Sequence, residues 1–226
     1  SMLGTDLEKI EGNEIIVEIF PNRPDMLSEQ GFARAFSSFI GVKKGLREYK
    51  VKKGNYKVIV EKSVKEVRPF TACAVVKNLK LDGEKLKSII QIQEKLHIGF
   101  GRNRRKAAIG IYPLEKIKFP IKYLAKKPGE IKFIPLDMKV VMDGVEILDV
   151  HPTGREYGHL LENEKEYPVF IDDKGYILSM TPIINSEEVG RVTEDTRDVF
   201  IECSGFDYKI LSKCLNIVVT ALVDIG

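Results

Sequence analysis

Tyr167-Pro-Val-Phe-Ile-Asp-Asp-Lys-Gly-Tyr-Ile-Leu-Ser-Met-Thr-Pro-Ile-Ile-Asn-Ser186, then a polar run, then Asp198-Val-Phe-Ile-Glu-Cys-Ser-Gly-Phe-Asp207, is the stretch that decides the fold. Residues 168–172 and 176–180 are apolar, β-prone runs joined by Asp172-Asp173-Lys174-Gly175. Two such runs around a short Gly-containing loop predict a β-hairpin, with Gly175 free to take positive φ. Val199 to Cys203 predicts a third strand, closed by Ser204-Gly205. Ser179, Asn185, Ser186, Glu202 and Ser204 fall at the ends of these strands. A sheet holds such ends rigid, so their polar groups can converge on a ligand. The same residue types also satisfy turns, which is the plainer role for any one of them alone.

Working outward, Asp207 precedes a helix over 208–222, with apolar positions 210, 211, 214, 215, 218, 219 and 222 forming a broad buried face. Upstream, residues 13–20 read as a strand broken by Pro21-Asn22-Arg23-Pro24-Asp25. Asp25 or Ser28 can cap a helix to about Ile40, with Phe32, Ala35, Phe36 and Phe39 at helical spacing and Gly41 at its end. Residues 45–65 read as a linker followed by a strand from Tyr56 to Glu61, and Pro69 to Lys77 as another strand. Asp82 or Gly83 starts a helix through Leu96. Residues 115–135, rich in lysine, predict edge strands and loops; Asp137 to Leu148 predicts a strand or short helix. His151 to Leu161 predicts a polar loop with tight turns at Gly154 and Gly158. Together these elements predict an α+β fold of mixed, mainly antiparallel sheets flanked by helices, with a small α/β attachment at the N-terminus. The expected division is a flanking segment over 1–65 and a main domain over 66–226.

The chain has 226 residues, 43% hydrophobic and 31% charged, which suits a soluble globular protein. It contains no run of 18 apolar residues and no secretory signal pattern; it reads as cut from a longer chain. Cys73, Cys203 and Cys214 stand in apolar contexts without metal-ligand spacing, which predicts buried thiols in a reducing cytoplasm and no metal. Net charge is +3 but unevenly placed: Lys77–Lys132 carries 15 basic and 5 acidic residues, Phe133–Tyr208 only 6 basic and 17 acidic. A polyanion would dock on the first segment and avoid the second, or the first is simply a lysine-rich solvated face. Within it, Gly99-Phe100-Gly101-Arg102-Asn103-Arg104-Arg105-Lys106 offers clustered cations for phosphates but lacks any nucleotide-binding glycine fingerprint. His97 lies at the end of the preceding helix, a capping position.

Five ordered motifs carry a resemblance that spans essentially the whole chain. Asn22-Arg23-Pro24-Asp25 with Gly31-Phe32-Ala33-Arg34-Ala35, Gly101 to Lys106, His151-Pro152-Thr153, Pro182-Ile183-Ile184-Asn185-Ser186, and Ser204-Gly205-x-Asp207 are similar to the beta subunit of archaeal and eukaryal-type phenylalanyl-tRNA synthetases. The resemblance implies an N-terminal piece containing the editing domain, which hydrolyses tyrosine mischarged on phenylalanine tRNA. A non-catalytic tRNA- or subunit-binding module is the alternative. By the resemblance, the family's pocket Leu, Ser, Asp and Thr fall at Phe170, Ser179, Glu202 and Ser204, of which only Ser179 is identical. Ser186 is expected at the rim as a further substrate contact, and Ser179 and Asn185 as water- or ester-orienting groups. Arg102, Arg104, Arg105 and Lys106 are expected to contact the tRNA. The implied partners are phenylalanine tRNA and the synthetase alpha subunit, with no membrane. No cofactor is implied for this piece; ATP and Mg act elsewhere in the full enzyme. Tyrosine is the larger amino acid, so a size filter would reject the wrong product. A buried polar partner for the phenol is needed instead, with Glu202 the expected acceptor and Ser204 or Ser179 assisting.

Overall fold

The computed structural model describes residues 2–226. β1 (Thr5–Glu11) and β2 (Glu14–Ile19) form a separate antiparallel hairpin, followed by a single 3₁₀ turn at Pro24–Met26 and α1 (Glu29–Phe39). The β1 strand was not expected: its sequence, TDLEKIE, is nearly all polar and owes its shape to pairing with β2. Arg23 and Asp25 pair with each other at 2.9–3.0 Å, and Ser28 caps α1 by accepting from the Gly31 amide. Arg34 of α1 forms an ion pair with Asp224 near the chain's end, holding the N-terminal part against the last helix.

The rest is a stack of layers. β3 (Val58–Val60), β4 (Phe70–Val76), α2 (Gly83–Ile98), β5 (Ala107–Pro113), β6 (Ile121–Lys126), β7 (Lys132–Phe133), β8 (Met142–Asp143), α3 (Gly144–Val150) and α4 (Pro152–Tyr157) follow in order. β9 (Tyr167–Ile171), β10 (Ile177–Met180), β11 (Ile184–Asn185), α5 (Glu187–Gly190), β12 (Val199–Gly205) and α6 (Tyr208–Ile225) complete the chain. A three-stranded antiparallel sheet, ordered β4-β12-β5, lies at the centre. On one face it packs against α2 and α6, burying Ile89, Leu96, Ile109, Ile201, Cys203, Leu211 and Val218. On the other it meets a five-stranded sheet, ordered β11-β10-β9-β6-β3, through Tyr112, Tyr123, Phe170, Leu178 and Phe200. α3 and α4 cover the outer side of that second sheet with Ile147 and Tyr157 against Tyr167, Val169 and Met180. The architecture is the α+β one expected, with one parallel pairing, β3 on β6.

The hairpin β9–β10 forms as read, with Gly175 at φ 90°. Its register shifts between Ile177 and Ser179. A bulge lets neighbouring residues serve one face: Leu178 packs in the inter-sheet core and Ser179 bonds Tyr112 there. Two expectations are corrected. The lysine-rich segment holds β6, which is not an edge but lies between β9 and β3, with Ile121, Tyr123 and Ala125 buried and Lys122 exposed. Residues 152–157 are helical, not a loop, because His151 caps them by accepting from the Thr153 amide and Pro152 stands at the first position. No helix of the described residues is long and apolar enough to cross a membrane.

Candidate functional site

Between α2, β5, the β10–β11 turn, α5 and the start of α4 lies a cavity of about 370 Å³, near the lower end of the usual range for small-molecule sites. Its walls are mixed, with Leu86, Ile89, Ile109, Ile111, Ile183 and Ile184 forming the apolar part. Ser179, Thr181, His97 and Glu202 also line it, and all four are buried.

Glu202 sits mid-strand in β12, opposite Cys73 of β4 and Gly110 of β5. Alternation along a strand sends Val199, Ile201 and Cys203 to the helices and Phe200, Glu202 and Ser204 to the second sheet. A carboxyl only 1% exposed needs partners. Its Oε1 accepts from the Tyr112 hydroxyl at 3.2 Å, and Tyr112 also bonds Ser179 Oγ at 2.8 Å. Glu202 Oε2 has no hydrogen-bond partner. Burial pushes the Glu202 pKa up to about 8, with the Arg68 charge, the Tyr112 bond and the nearby Ser204 hydroxyl acting against it. The Ser204 effect is the weakest of these; that hydroxyl also accepts from Arg68 Nε at 3.1 Å and shares a hydrogen bond with Thr181 at 2.7 Å. Gly110 is required here: a Cβ in its place would come within 2.1 Å of the Tyr112 oxygen and 2.6 Å of Glu202 Oε1.

Arg68, absent from the sequence expectations, anchors the other end of this inter-sheet layer. It is 3% exposed and donates to Ser204 Oγ at 3.1 Å, Ser204 O at 2.7 Å and Arg104 O at 3.0 Å. Burial lowers its pKa, while Tyr123 and Glu202 raise it. Nothing in its linear context, Val67-Arg68-Pro69, signals this role.

The expected site residues divide. Ser179, Asn185 and Glu202 line the cavity together, and Ser179 and Asn185 are cross-strand partners. Asn185 Nδ2 donates to Ile111 O at 3.4 Å. Phe170 and Ser204 are fully buried outside the lining: Phe170 stacks on Tyr123 at 4.3 Å, and Ser204 bonds Thr181 at 2.7 Å. Ser186 caps α5 by accepting from the Val189 amide at 3.2 Å.

The arginine turn also divides. Arg102, Asn103 and Arg104 all hold positive φ, at 50°, 52° and 65°, conformations that cost non-glycine residues roughly 1–2 kcal/mol each. The turn's amides return the expense locally, since Gly101, Asn103 and Arg104 donate to the otherwise free carbonyls of Leu96, Ile98 and His97 at the end of α2. The result aims Arg104 inward. It donates to Ile183 O at 2.7 Å and Pro182 O at 3.2 Å, reaches Glu94 at 3.3 Å, and stacks over Tyr157 at 4.1 Å. Arg102, Asn103 and Arg105 face outward and line an open depression with His159 and Glu156, and Lys106 is half-buried. His97 accepts from the Ile109 amide through Nε2 at 2.9 Å and so offers Nδ1–H to Glu94. Burial lowers its pKa, in keeping with a neutral, structural ring. Gln93, Glu94, Arg104 and His151 also line the cavity; their identities were visible in the sequence, but their convergence required the packing of α2 and α4. Among the described residues, no group of three or more His, Cys, Asp or Glu side chains is placed to hold a metal ion.

Comparison with known proteins follows the same lines. The B3/4 domain family model matches residues 54–217. The chain is 44% identical over 225 residues to the phenylalanine–tRNA ligase beta subunit of Archaeoglobus fulgidus, covering all of this chain and 41% of that one. It is 48% identical over 205 residues to the beta subunit of Pyrococcus horikoshii, covering 91% of this chain and 37% of the relative. The chain thus spans about two fifths of the length of these relatives. A crystal structure of an N-terminal fragment of the Pyrococcus horikoshii phenylalanyl-tRNA synthetase beta subunit superposes with a TM-score of 0.92 at 44% identity, covering 99% of this chain and 66% of that one. The chain belongs to the B3/4 domain family and shares fold and sequence with the N-terminal region of archaeal phenylalanyl-tRNA synthetase beta subunits.

Proposed function

We propose that this chain is the editing module of a phenylalanyl-tRNA synthetase beta subunit and hydrolyses the ester of tyrosine mischarged on phenylalanine tRNA. The observation that carries the reading is the unpartnered Oε2 of a buried glutamate, Glu202, which lines a cavity with an isoleucine- and leucine-rich wall. A tyrosyl side chain fills such walls and brings one hydroxyl to that oxygen. Phenylalanine brings none and leaves the carboxyl unsatisfied, a mismatch that can discriminate by about 10⁴. The carboxylate form accepts from the phenol, and that bond itself favours ionisation when the substrate is bound.

Water adds to the ester carbonyl carbon, the bond to the ribose oxygen breaks, and that oxygen takes a proton. The ester is already reactive, so orientation by Ser179, Asn185 and the vicinal ribose hydroxyl is the protein's contribution. Ser179 is bonded to Tyr112 rather than to a base, which argues against a serine nucleophile. Arg102, Arg105 and Lys106 are the cations offered to the tRNA, with Arg104 committed to the cavity rim. In the full enzyme the alpha subunit is the partner.

The bonding of Ser179 to Tyr112 rather than to a base also favours the second reading, a tRNA- or subunit-binding module without activity. Incubating the chain with tyrosyl- and phenylalanyl-tRNA of the phenylalanine type separates the two. Release of tyrosine well above buffer, with phenylalanine retained, is expected; no release of either supports the binding module.

A further inference from the structure

We infer that Tyr112 is a positioning residue for substrate discrimination: its buried hydroxyl tethers Ser179 and one oxygen of Glu202, leaving the other oxygen without a protein partner beside the cavity for a substrate hydroxyl. The inference rests on the editing reading above.

Tyr112 is fully buried and is not part of the cavity lining, so it acts only through its neighbours. Its ring is fixed by Phe200, stacked at 5.8 Å, and its oxygen by the space over Gly110. The hydroxyl therefore has one place to be, between Ser179 Oγ at 2.8 Å and Glu202 Oε1 at 3.2 Å. A free carboxyl would rotate and offer either oxygen at varied angles. Tethered at Oε1, it presents Oε2 in one orientation, and hydrogen bonds reward such alignment steeply. The groups facing Glu202 are Cys73 from β4, Arg68 from the segment before it, Tyr123 from β6, Tyr112 from β5 and Ser204 from β12. Of these, Tyr112 alone bonds both the carboxyl and a cavity-lining hydroxyl. A tyrosine here looks, from sequence, like one more apolar member of strand β5.

The test is Tyr112→Phe, which keeps the ring and removes the tether. Wild-type protein must first release tyrosine from the mischarged tRNA; failure there overturns the editing reading itself. Given that activity, the variant is expected to lose about tenfold or more in kcat/KM for the tyrosyl ester, the worth of an aligned hydrogen bond to an ionisable group. Residual hydrolysis of the phenylalanyl ester, which has no phenol to align, should fall by less, through the loosened Ser179 alone. The Glu202 carboxyl, followed by ¹³C NMR, should ionise at higher pH than in wild type, because a donor has been lost. Equal losses for both esters with an unmoved carboxyl titration would make Tyr112 a packing residue and overturn the inference. Should Tyr112→Phe fold poorly, Ser179→Ala leaves the single Tyr112 proton wholly to Glu202, and the carboxyl should then ionise at lower pH than in wild type. There an unmoved Glu202 would equally overturn it.

Discussion

The two faces of strand β12 behave differently. One presents Val199, Ile201 and Cys203 to α2 and α6 in a wholly apolar contact. The other presents Phe200, Glu202 and Ser204 to a layer that also holds Arg68, Tyr112 and Thr181. Both faces are equally dry, with every residue from Val199 to Gly205 buried. The apolar face gains stability from burial alone. The polar face must answer each buried group with a partner, and it does so at Arg68, Ser204, Thr181, Tyr112 and Ser179. The exception is Oε2 of Glu202, a residue that lines the cavity. Folding tolerates one unmet oxygen there, and a ligand hydroxyl can meet it.

That contrast can be broken by substitution on each face. The largest expected effect is on stability from Ile201→Ala, which empties part of the apolar face and should cost about 2–5 kcal/mol in urea unfolding. Its tyrosyl-over-phenylalanyl ratio, measured where the protein is fully folded, should stay at the wild-type value. A collapse of that ratio would mean the faces are not separable. Glu202→Gln should do the reverse: tyrosyl-ester hydrolysis falls by about a hundredfold, on the scale of removing a well-placed polar group from a site, while the melting temperature is held or raised.

The same carboxyl sharpens the contrast through pH. Its folded-state pKa lies at about 8 against an ordinary value of 4.5. Between those values the folded protein keeps a proton that the unfolded chain has lost, so stability should fall as pH rises through that window. Glu202→Gln should flatten this slope in denaturation measured across the same pH range, and Ile201→Ala should not. The smallest expected effects on stability lie outside both faces. Arg102→Glu with Arg105→Glu should change unfolding by within about 0.5 kcal/mol. If they contact phosphates, the dependence of tRNA affinity on salt should lessen by about one charge each. Arg104→Ala should instead destabilise, because its guanidinium is spent on the Pro182 and Ile183 carbonyls.

Much of the frame was legible because local chemistry and tertiary packing agree. The Asp172–Gly175 hairpin and the caps at Ser28, Asp82 and Asp207 announce their elements directly. Where reading failed, a neighbour distant in sequence decided. β1 exists because β2 pairs with it, and β6 is central because β3 and β9 flank its lysines. The helix at Pro152 contains Gly154 because α3 crosses so closely that a Cβ would meet Ile147 O at 1.8 Å; the sequence shows only a glycine, which suggests a turn. Glu202, Ser179 and Asn185, singled out in the sequence, do line one cavity, although Glu202 lies mid-strand rather than at a strand end. Arg68 and Tyr112 were not singled out, since their roles come from the facing of two sheets. Nor could linear order show that one arginine of the 102–106 cluster turns inward, which three consecutive left-handed residues determine.

The central claim, a single carboxyl oxygen waiting for a phenol, is tested most directly by binding rather than turnover. Non-hydrolysable tyrosyl and phenylalanyl amides of 3′-amino-adenosine can be titrated calorimetrically into the wild-type chain and into Glu202→Gln. The account predicts at least about tenfold tighter binding of the tyrosyl compound to wild type, consistent with one hydrogen bond to a buried ionisable group, and a diminished preference in the variant. Equal affinity of wild type for the two compounds would contradict it.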